Sequence, residues 1–325
     1  SWLKDKKANK ISLEGWAAKL SMPDWLWEKL LDEYGEKSAV NLSKSLLHPA
    51  NLNLRVNILK EKSVSKVVDK LIINFPHLKD KITKTNLSPI CISLPRGTSI
   101  QRENLFLDGI IEVQDEGSQI LSYLVNPKRG SMVADFCAGA GGKTLAISAI
   151  MKNTGRLYAF DISDKRLANL KKRLKRSGAS NIVSHKIMHE NDTKVKRLRG
   201  KFDRVLVDAP CTGLGTLRRN PDLKWNHSLE SLEELNHKQK LIINAASKLC
   251  KIGAQLVYAT CSLLKQENEN IVENFLLENR NFRLLPPDSI LIKYDISFKS
   301  DQYLKLRPDE HKTDGFFAAI LERFE

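Results

Sequence analysis

From about residue 108 onwards, two patterns of hydrophobic and polar positions alternate along the chain. Short apolar runs bounded by turn residues, typical of buried strands, are followed by stretches whose apolar positions recur every three or four residues, as in helices. The predicted strands are 133–136, 156–160, 182–188, 202–207, a strand that ends at Cys261, and 316–321. The predicted helices are 143–151, 163–176, 231–251 and 267–278. This alternation predicts an α/β fold with a doubly wound, mostly parallel sheet.

The longest predicted helix, 231–251, has a signal at each end. Ser231 and Glu234 have the spacing of a capping box, in which each side chain hydrogen-bonds the backbone of the other residue. Gly253 is typical of the residue that follows a helix, because glycine adopts the left-handed conformation required there. We therefore expect this helix to end just before Gly253.

The first hundred residues follow a different pattern. Apolar clusters at 16–20 and 25–31 predict a helical N-terminal segment. Strand-like alternation at 54–58, a helix capped by Ser63 and a second strand at 89–92 predict a small α+β unit. We therefore expect three parts, namely a helical segment 1–50, a small α+β, RRM-like unit 51–105 and an α/β domain 106–325.

Composition and charge narrow the range of functions. Of the 325 residues, 42% are hydrophobic, enough for a core, yet no stretch is long and apolar enough to span a membrane. The chain opens on polar, Lys-rich residues without a secretory signal, so we expect a cytoplasmic protein. Lys and Arg total 53 against 38 Asp and Glu, a formal charge of +15. Such a charge favours a polyanionic partner, with nucleic acid ahead of an anionic membrane surface.

Five cysteines are scattered along the chain without a Cys-x-x-Cys pair, at Cys91, Cys137, Cys211, Cys250 and Cys261. This spacing argues against a disulfide framework and against zinc, and we expect no metal. Cys211 follows shortly after the predicted strand 202–207, and Cys261 ends the strand that contains 255–258. Chemistry in an open α/β sheet lies just past the carboxyl ends of the strands. Two thiols at such positions indicate sulfur chemistry on a bound substrate.

A glycine-rich turn follows the first strand of the α/β domain. Its residues are Cys137, Ala138, Gly139, Ala140, Gly141, Gly142 and Lys143. Glycines let the backbone approach a ligand, and the helix N-terminus that follows favours a negative group. Asp161 ends the next strand, where a carboxylate is expected to hold ribose hydroxyls. The spacing fits neither the dinucleotide fingerprint nor a Walker loop, and favours S-adenosylmethionine. The alternative is a turn that only closes a helix onto the sheet.

Five ordered motifs make the interpretation more specific. They read VQDEGSQ at 113–119, DFCAGAGGKT at 135–144, DAPCTGLG at 208–215 running into RRNPDLKW at 218–225, TCS at 260–262 with ENE at 267–269, and TDGFF at 313–317. From about Leu54 to its C-terminus, the chain resembles the RNA (cytosine-5) methyltransferases of the Sun/Fmu type, particularly their RsmB-like branch. In the turn, AGAG replaces the commoner AAPG. The helical RNA-antitermination-like domain often found at the N-terminus of this branch is not visible.

The resemblance implies a Rossmann-like, class I methyltransferase domain that moves a methyl group from S-adenosylmethionine to carbon 5 of a cytosine in RNA, with ribosomal RNA as the expected substrate. A thiolate that adds to carbon 6 makes carbon 5 nucleophilic. DNA methyltransferases carry this thiol in a Pro-Cys string, which would indicate Cys211. The RNA family carries it in a Thr-Cys string, which indicates Cys261. Because the surrounding motifs are those of the RNA family, we assign Cys261 as nucleophile and Cys211 to resolution of the adduct.

Other residues of these motifs receive predicted roles. Asp208 is expected to border the cofactor and to hydrogen-bond the flipped cytosine, and Lys143 to contact the base or the cofactor carboxylate. Asp192, with Glu190 behind it, is the candidate acid beside the adenine. The predicted RNA contacts are Arg218, Arg219, Lys224 and Trp225. The structural alternatives are a loop-capping Asp208, an exposed Lys143 and a structural loop anchored by Trp225.

Three rival functions remain beside this interpretation. A non-catalytic RNA-binding ribosome-assembly factor with a retained cofactor fold predicts broken catalytic strings, yet both thiols, Asp208 and Lys143 are present. An NAD-dependent oxidoreductase is disfavoured by the glycine spacing. A DNA substrate stays open, since phosphate contacts alone bind DNA and RNA alike. The sequence does not determine an oligomeric state, and a monomer is the default.

Overall fold

The computed structural model describes residues 13–325. The polar start of the chain, and with it the first part of the predicted helical segment, lies outside the described residues. Two helices open the described part, α1 (Leu13–Lys19) and α2 (Asp24–Leu47). Helix α2 is kinked at Gly35, whose φ of 72° and ψ of 161° are not helical. The kink lets one helix follow two directions across the surface beneath it.

A four-stranded antiparallel sheet forms the small α+β unit. Its elements are β1 (Leu52–Val56), α3 (Val64–Asn74), β2 (Thr83–Lys84), β3 (Cys91–Leu94), α4 (Asn104–Leu107) and β4 (Ile111–Val113). The strand order is β2-β3-β1-β4. Because β4 pairs with β1, this sheet continues beyond residue 105, where we expected the unit to end. A three-residue strand is too short to be recognised from a period of two.

The remainder of the chain forms an eight-stranded sheet with its helices. The strands are β5 (Met132–Asp135), β6 (Arg156–Asp161), β7 (Ile182–Lys186), β8 (Phe202–Asp208), β9 (Cys250–Thr260), β10 (Phe282–Leu285), β11 (Leu304–Leu306) and β12 (Phe316–Arg323). The helices are α5 (Glu116–Leu124), α6 (Gly142–Ile150), α7 (Asp164–Ser177), α8 (Thr193–Lys196), α9 (Leu229–Ser247), α10 (Glu269–Glu278), α11 (Asp288–Leu291) and α12 (Pro308–His311).

The order of these strands is β10-β12-β9-β8-β5-β6-β7, with β11 also paired to β12. Strands β5 to β9 are parallel, whereas β12 runs antiparallel to β9, β10 and β11. The predicted doubly wound, mostly parallel α/β fold is confirmed. The chain runs outward from β5 to β7 and then returns to β8 on the other side of β5. Ligands of such sheets bind at this reversal, past the carboxyl ends of the strands.

Two apolar clusters cover the two faces of the sheet, and a third lies under the N-terminal helices. The strands are nearly continuous apolar runs, as expected where both faces of a parallel sheet are covered. The third cluster joins Leu26 and Leu30 of α2 to Leu214, Leu217 and Leu263. Of these, Leu214, Leu217 and Leu263 lie in the loops that follow the two predicted catalytic cysteines. The N-terminal helices therefore pack against these loops.

The long helix α9 differs from its prediction at both ends. It begins at Leu229, because Ser228 and Ser231 form the capping box in place of Ser231 and Glu234. It ends at Ser247, and Gly253 lies inside β9. The register of β9 against β8 shifts by several residues there, and the φ of 78° at Gly253 accommodates the bulge. Gly253 thus adopts the left-handed conformation at a bulge within a strand and not at the end of a helix.

Within residues 13–325, the helices lack the combination of length and apolar character that a membrane crossing requires.

Candidate active site

A cavity of about 630 Å³ opens at the reversal of strand order. It is lined by the glycine-rich turn after β5, the end of β6, the loop after β7 and the loops that carry Cys211 and Cys261. The sheet therefore brings together the cofactor-type turn and both thiols, as the sequence predicted. The cavity combines apolar walls with a few charged groups, as small-molecule sites usually do.

The glycine-rich turn is held in place by Asp161 at the end of β6. One oxygen of the Asp161 carboxylate accepts a hydrogen bond from the backbone N–H of Gly139 at 2.8 Å, and the other accepts from Ser163 at 2.7 Å. A Cβ added at Gly139 would meet no atom within 4 Å, whereas one added at Gly141 would lie 2.1 Å from Leu170. Gly141 therefore packs the turn onto α7, while Gly139 leaves space for a ligand.

The residues around this turn fit an adenosyl ligand that carries a carboxylate. The N-terminus of α6 presents backbone N–H groups of a kind that bind anions. The carboxylates of Asp161 and Glu190 line the cavity with Phe136 and Ile187, an acid pair and an apolar pair suited to a ribose and a base. The turn thus closes a helix onto the sheet and also borders a ligand cavity.

Asp192 does not line this cavity, in contrast to our expectation. Its carboxylate caps α8 by accepting from the backbone N–H of Lys194 at 2.9 Å, and it also accepts from Met188 at 3.0 Å. These two hydrogen bonds lower the pKa of Asp192. Glu190 lines the cavity in its place. The sequence did not separate these two acids, because a four-residue helix leaves little periodicity around them.

Lys143 and Asp208 form an ion pair in the cavity wall, with the Nζ of Lys143 2.7 Å from Oδ2 of Asp208. Burial lowers the pKa of Lys143, but the Asp208 carboxylate outweighs that effect, and the pKa is raised. The ammonium therefore stays charged, and Lys143 is neither exposed nor free. Behind the pair, Asp135 accepts a 2.7 Å hydrogen bond from Thr144, and burial raises its pKa to about 7.

The two thiols predicted to be catalytic lie next to each other. The Sγ atoms of Cys211 and Cys261 are 3.5 Å apart, and both residues are partly exposed to the cavity. Their hydrogen bond raises the pKa of Cys211 well above its ordinary value, and burial of the thiol raises it further. Cys211 therefore remains protonated at neutral pH and can donate a hydrogen bond to the sulfur of Cys261.

Glu267 holds the two cysteine loops together, a role that we did not predict. This fully buried carboxylate accepts hydrogen bonds from the N–H and hydroxyl of Thr212, the hydroxyl of Ser262 and the side chain of Gln239. Thr212 directly follows Cys211, and Ser262 directly follows Cys261. Because a charge-assisted hydrogen bond fixes geometry strongly, Glu267 sets the spacing of the thiols.

A close backbone approach adds a second link between the loops. The N–H of Gly215 donates to the carbonyl of Cys261 at 2.8 Å, and the N–H of Gly315 donates to the carbonyl of Gly215 at the same distance. A Cβ at Gly215 would lie 2.2 Å from the Gly315 oxygen and 2.8 Å from the Cys261 oxygen. Only glycine therefore fits at this contact, which explains Gly215 of the DAPCTGLG motif and Gly315 of the TDGFF motif.

The N-terminal helices reach the same loops. The hydroxyl of Tyr34 donates a 2.5 Å hydrogen bond to the carbonyl of Leu263, and the Glu33 carboxylate accepts from the N–H of Lys265 at 3.0 Å. Burial raises the pKa of Glu33 to about 7. Both residues directly precede the kink of α2 at Gly35. The kinked helix therefore holds the chain just past Cys261.

The four residues predicted to bind RNA differ from one another in burial and in their hydrogen-bond partners. Arg219 is paired with the half-buried Asp115 and the buried Asp314 at 2.8 and 2.5 Å, and Arg218 donates to the backbone carbonyls of residues 48, 312 and 313. Lys224 is buried, and that burial lowers its pKa. The side chain of Trp225 is 58% exposed. Arg218 and Arg219 thus tie parts of the fold together, and Trp225 faces solvent.

The fold and the site define a class I, S-adenosylmethionine-dependent methyltransferase. The family model for the 16S rRNA methyltransferase RsmB/F matches residues 122–322, and the chain belongs to that family. The predicted family, enzyme class and cofactor are therefore confirmed. S-adenosylmethionine is the cofactor, and the enzyme is an RNA (cytosine-5) methyltransferase.

Individual relatives agree with this assignment. The chain is 32% identical to a probable ribosomal RNA small subunit methyltransferase B from Synechocystis, over 97% of this chain and 69% of that protein. It is 30% identical to a 28S rRNA (cytosine-C(5))-methyltransferase from Mus musculus, over 94% of this chain but only 39% of that one. A solved methyltransferase homologue from Pyrococcus horikoshii superposes with a TM-score of 0.79 at 28% identity, covering 97% of this chain and 99% of the other.

Proposed function

We propose that this protein methylates carbon 5 of a cytosine in ribosomal RNA, with Cys261 as nucleophile and Cys211 as the group that resolves the covalent adduct. The observation that carries the proposal is the pair of thiols 3.5 Å apart at the wall of the cofactor cavity. The relatives named above as ribosomal RNA methyltransferases support a ribosomal RNA substrate. The formal charge of +15 supports a polyanionic partner.

The first step is the addition of the Cys261 thiolate to carbon 6 of the cytosine. This addition makes carbon 5 nucleophilic, so that it can accept the methyl group, which bound S-adenosylmethionine supplies from its sulfonium. Loss of the carbon 5 proton to solvent water then re-forms the double bond between carbon 5 and carbon 6, and the carbon 6–sulfur bond breaks so that Cys261 leaves as a thiolate. The target base must be unstacked or single-stranded to reach the cavity.

The raised pKa of Cys211 supports Cys211 as the hydrogen-bond donor of the thiol pair and Cys261 as the nucleophile. Cys211 is held protonated by its hydrogen bond to Cys261 and by burial. A protonated Cys211 can donate to the Cys261 sulfur, which stabilises a thiolate there. During resolution of the adduct, the same hydrogen bond stabilises Cys261 as a leaving group. A loss of Cys211 would therefore slow the release of the RNA more than the formation of the adduct.

Asp208 and Lys143 are proposed to act on the base. The Asp208 carboxylate is partly exposed to the cavity and can accept a hydrogen bond from the N3 and N4 edge of the cytosine. A proton that N3 takes up from solvent would be stabilised by the Asp208 carboxylate, and the positive charge on the base withdraws electrons from carbon 6 and so assists attack by the thiolate. Lys143 orients the Asp208 carboxylate through their 2.7 Å pair.

The cofactor is proposed to lie along the glycine-rich turn. The backbone N–H groups at the start of α6 would receive its carboxylate, Asp161 would accept from its ribose, and Glu190 would take the place first given to Asp192 beside the adenine. We propose that the small α+β unit and the exposed Trp225 contact the RNA.

Two alanine variants test the assignment of the thiols. We expect Cys261→Ala to lose both methyl transfer and adduct formation, whereas Cys211→Ala accumulates a protein–RNA adduct that survives denaturing gels. Buried Cys91→Ala is the matched control, and it should retain both activities. The reverse phenotypes would assign the nucleophile to Cys211. RNA binding without methyl transfer by the unchanged protein would instead support the non-catalytic assembly factor.

A further inference from the structure

The net charge of the chain is concentrated in one short stretch. Residues 164–201 contain thirteen Lys and Arg against three Asp and Glu, a net charge of +10 within a chain whose total is +15. Because this stretch is 38 residues long, about two thirds of the excess charge lies in roughly an eighth of the protein. Ordinary solvated helices carry both signs of charge in similar amounts, and this stretch does not.

Ten of these thirteen cations are exposed. Five belong to α7, at Lys165, Arg166, Lys171, Lys172 and Lys175, and the other five lie within residues 194–201. Leu167 and Leu170 turn the opposite side of α7 into the core. None of the ten exposed cations forms an ion pair with a residue of the described part of the chain, 13–325. We call these ten side chains the basic edge.

The acids within the stretch are already engaged. Asp164 pairs with Lys186, Asp192 caps α8, and Glu190 lines the cofactor cavity. The two remaining arginines of α7, Arg173 and Arg176, bind Glu112. The basic edge therefore keeps its positive field, since no local acid is left to neutralise it.

Contacts at the end of the edge strand join the two parts of the basic edge. Strand β7 is the last strand of the sheet and pairs only with β6. Lys186 at the end of β7 contacts Asp164 at the start of α7, and the Nζ of Lys194 donates to the carbonyl of Lys186 at 2.9 Å. The cations at the start of α7, Lys165 and Arg166, and those after β7 are thereby held around the same strand end, and Lys171, Lys172 and Lys175 continue along α7 away from it. Arg166 and Met188 at this end also line the cofactor cavity.

We propose that the basic edge is a second RNA-binding surface, which holds the phosphates of a segment distant from the methylated cytosine. This inference rests on the proposed RNA substrate. It adds a surface outside the RRM-like unit and outside the motifs that predicted RNA contacts. A flexible polyanion can follow cations around a strand edge, whereas a flat bilayer would reach only one side of that edge. Phosphates are thus the anion that the geometry favours.

A triple substitution on α7 tests the proposal. In Lys171→Gln, Lys172→Gln and Lys175→Gln combined, each lost phosphate contact should reduce the salt dependence of binding by about one counterion. At about 100 mM KCl we expect the affinity for a fluorescein-labelled, 30-nucleotide RNA of mixed sequence to fall about tenfold. The readout is fluorescence anisotropy over a series of KCl concentrations. Calorimetric binding of S-adenosylmethionine checks that the variant is folded.

The matched control removes the same charge elsewhere, by Lys37→Gln, Lys240→Gln and Lys293→Gln, which are all exposed. An equal loss of RNA affinity in the two triple variants would show that the loss follows from net charge alone, and it would overturn the proposal. Unchanged RNA binding with lost binding to phosphatidylserine vesicles would assign the edge to a membrane and overturn it too. Methyl transfer to RNA by the unchanged protein is measured separately. Absence of methyl transfer would contradict the proposed function, whereas the anisotropy comparison would still test RNA binding by the basic edge.

Discussion

At the scale of single residues, buried carboxylates organise the site in two different ways. Glu267 is surrounded by donors and accepts hydrogen bonds from both cysteine loops. Asp135 has one donor, Thr144, and its Oδ1 has no hydrogen-bond partner among the described residues. Hydrogen bonds from both cysteine loops thus fix the side chain of Glu267, whereas Asp135 is enclosed by the core with a single hydrogen bond. Their substitution should therefore have different consequences.

We expect Glu267→Gln to destabilise the fold and to lower activity. The amide would place a donor among the donors of Thr212, Ser262 and Gln239, leaving buried groups unpaired at a cost of about 1–3 kcal/mol. Urea unfolding measures the loss of stability, and single-turnover methyl transfer measures the misplacement of the thiols. Exposed Glu233→Gln on α9 should stay within about 0.5 kcal/mol of the unchanged protein. Equal effects of the two substitutions would contradict the role of Glu267.

Asp135 predicts a dependence of stability on pH. Because its pKa is raised from 3.8 to about 7 in the folded protein, the folded state favours the neutral acid. That contribution is complete below pH 3.8 and is lost as the pH rises through 7. We expect Asp135 to cost about 2 kcal/mol of stability between pH 5.5 and pH 8.

The substitution Asp135→Asn should flatten this dependence, since an amide does not titrate in this range. Urea unfolding at pH 5.5 and pH 8 measures the change. Asp69→Asn, at an exposed position of α3, should retain the pH dependence of the unchanged protein. A pH dependence that is the same in all three proteins would show that Asp135 does not titrate as expected.

At the scale of elements, the kinked helix α2 supports the loop that follows Cys261. Tyr34 and Glu33 bind the backbone of that loop, and leucines of α2 pack against it. This support could not be predicted from the sequence, since Tyr34 and Leu263 are 229 residues apart. A kinked helix also combines two hydrophobic stripes, so that neither dominates its periodicity.

We expect Tyr34→Phe to lower the turnover number about fivefold, with little change in the KM for RNA. The ring is retained, and only the hydroxyl that holds the Leu263 carbonyl is lost, at a cost of about 1 kcal/mol. Tyr294→Phe is the matched control, because its hydroxyl donates a 3.1 Å hydrogen bond to Asn126. Both variants should lose similar stability, but only Tyr34→Phe should lose turnover. Equal turnover in the two variants would exclude a positioning role for Tyr34.

Short elements were the hardest to predict. Strands β2, β4 and β11 have only two or three residues, too few to establish a period. Gly253 was mistaken for a helix end because a left-handed glycine serves a bulge as well as a helix terminus. Strand β8 and the later part of β9 were predicted well, since the buried part of a parallel strand is rich in apolar residues, whereas the start of β9 was predicted as the end of a helix.

At the scale of the whole molecule, the sequence predicted which residues meet at strand ends but not which charges pair across the chain. Cys211 and Cys261 were expected to meet because the carboxyl ends of parallel strands share one edge of the sheet. Arg219 was expected to bind RNA, yet its partners are Asp314, 95 residues away, and Asp115, 104 residues away. Local patterns contain no information about such pairs. Three of the five motifs meet at Arg219, and they join the small unit to the methyltransferase domain.

The motif that contains Arg219 and Trp225 therefore combines two functions, namely the structural ion pairs of Arg219 and the proposed RNA contact of Trp225. Substitutions should separate them. Arg219→Ala leaves the carboxylates of Asp115 and Asp314 side by side without their arginine partner, where burial and the like charge of Asp115 already raise the pKa of Asp314 to about 6. Breaking such a buried pair costs about 3–5 kcal/mol. Trp225→Ala should leave stability nearly unchanged, because the ring is largely exposed.

RNA affinity should respond in the opposite order. Loss of one stacking ring costs about 1–3 kcal/mol, so Trp225→Ala should weaken binding about tenfold or more. Arg219→Ala should bind RNA normally wherever it remains folded, for instance at low temperature. Urea unfolding and anisotropy on the same two variants measure both quantities. Weak RNA binding by a fully stable Arg219→Ala protein would indicate that Arg219 contacts RNA, and it would contradict a structural role in binding Asp115 and Asp314.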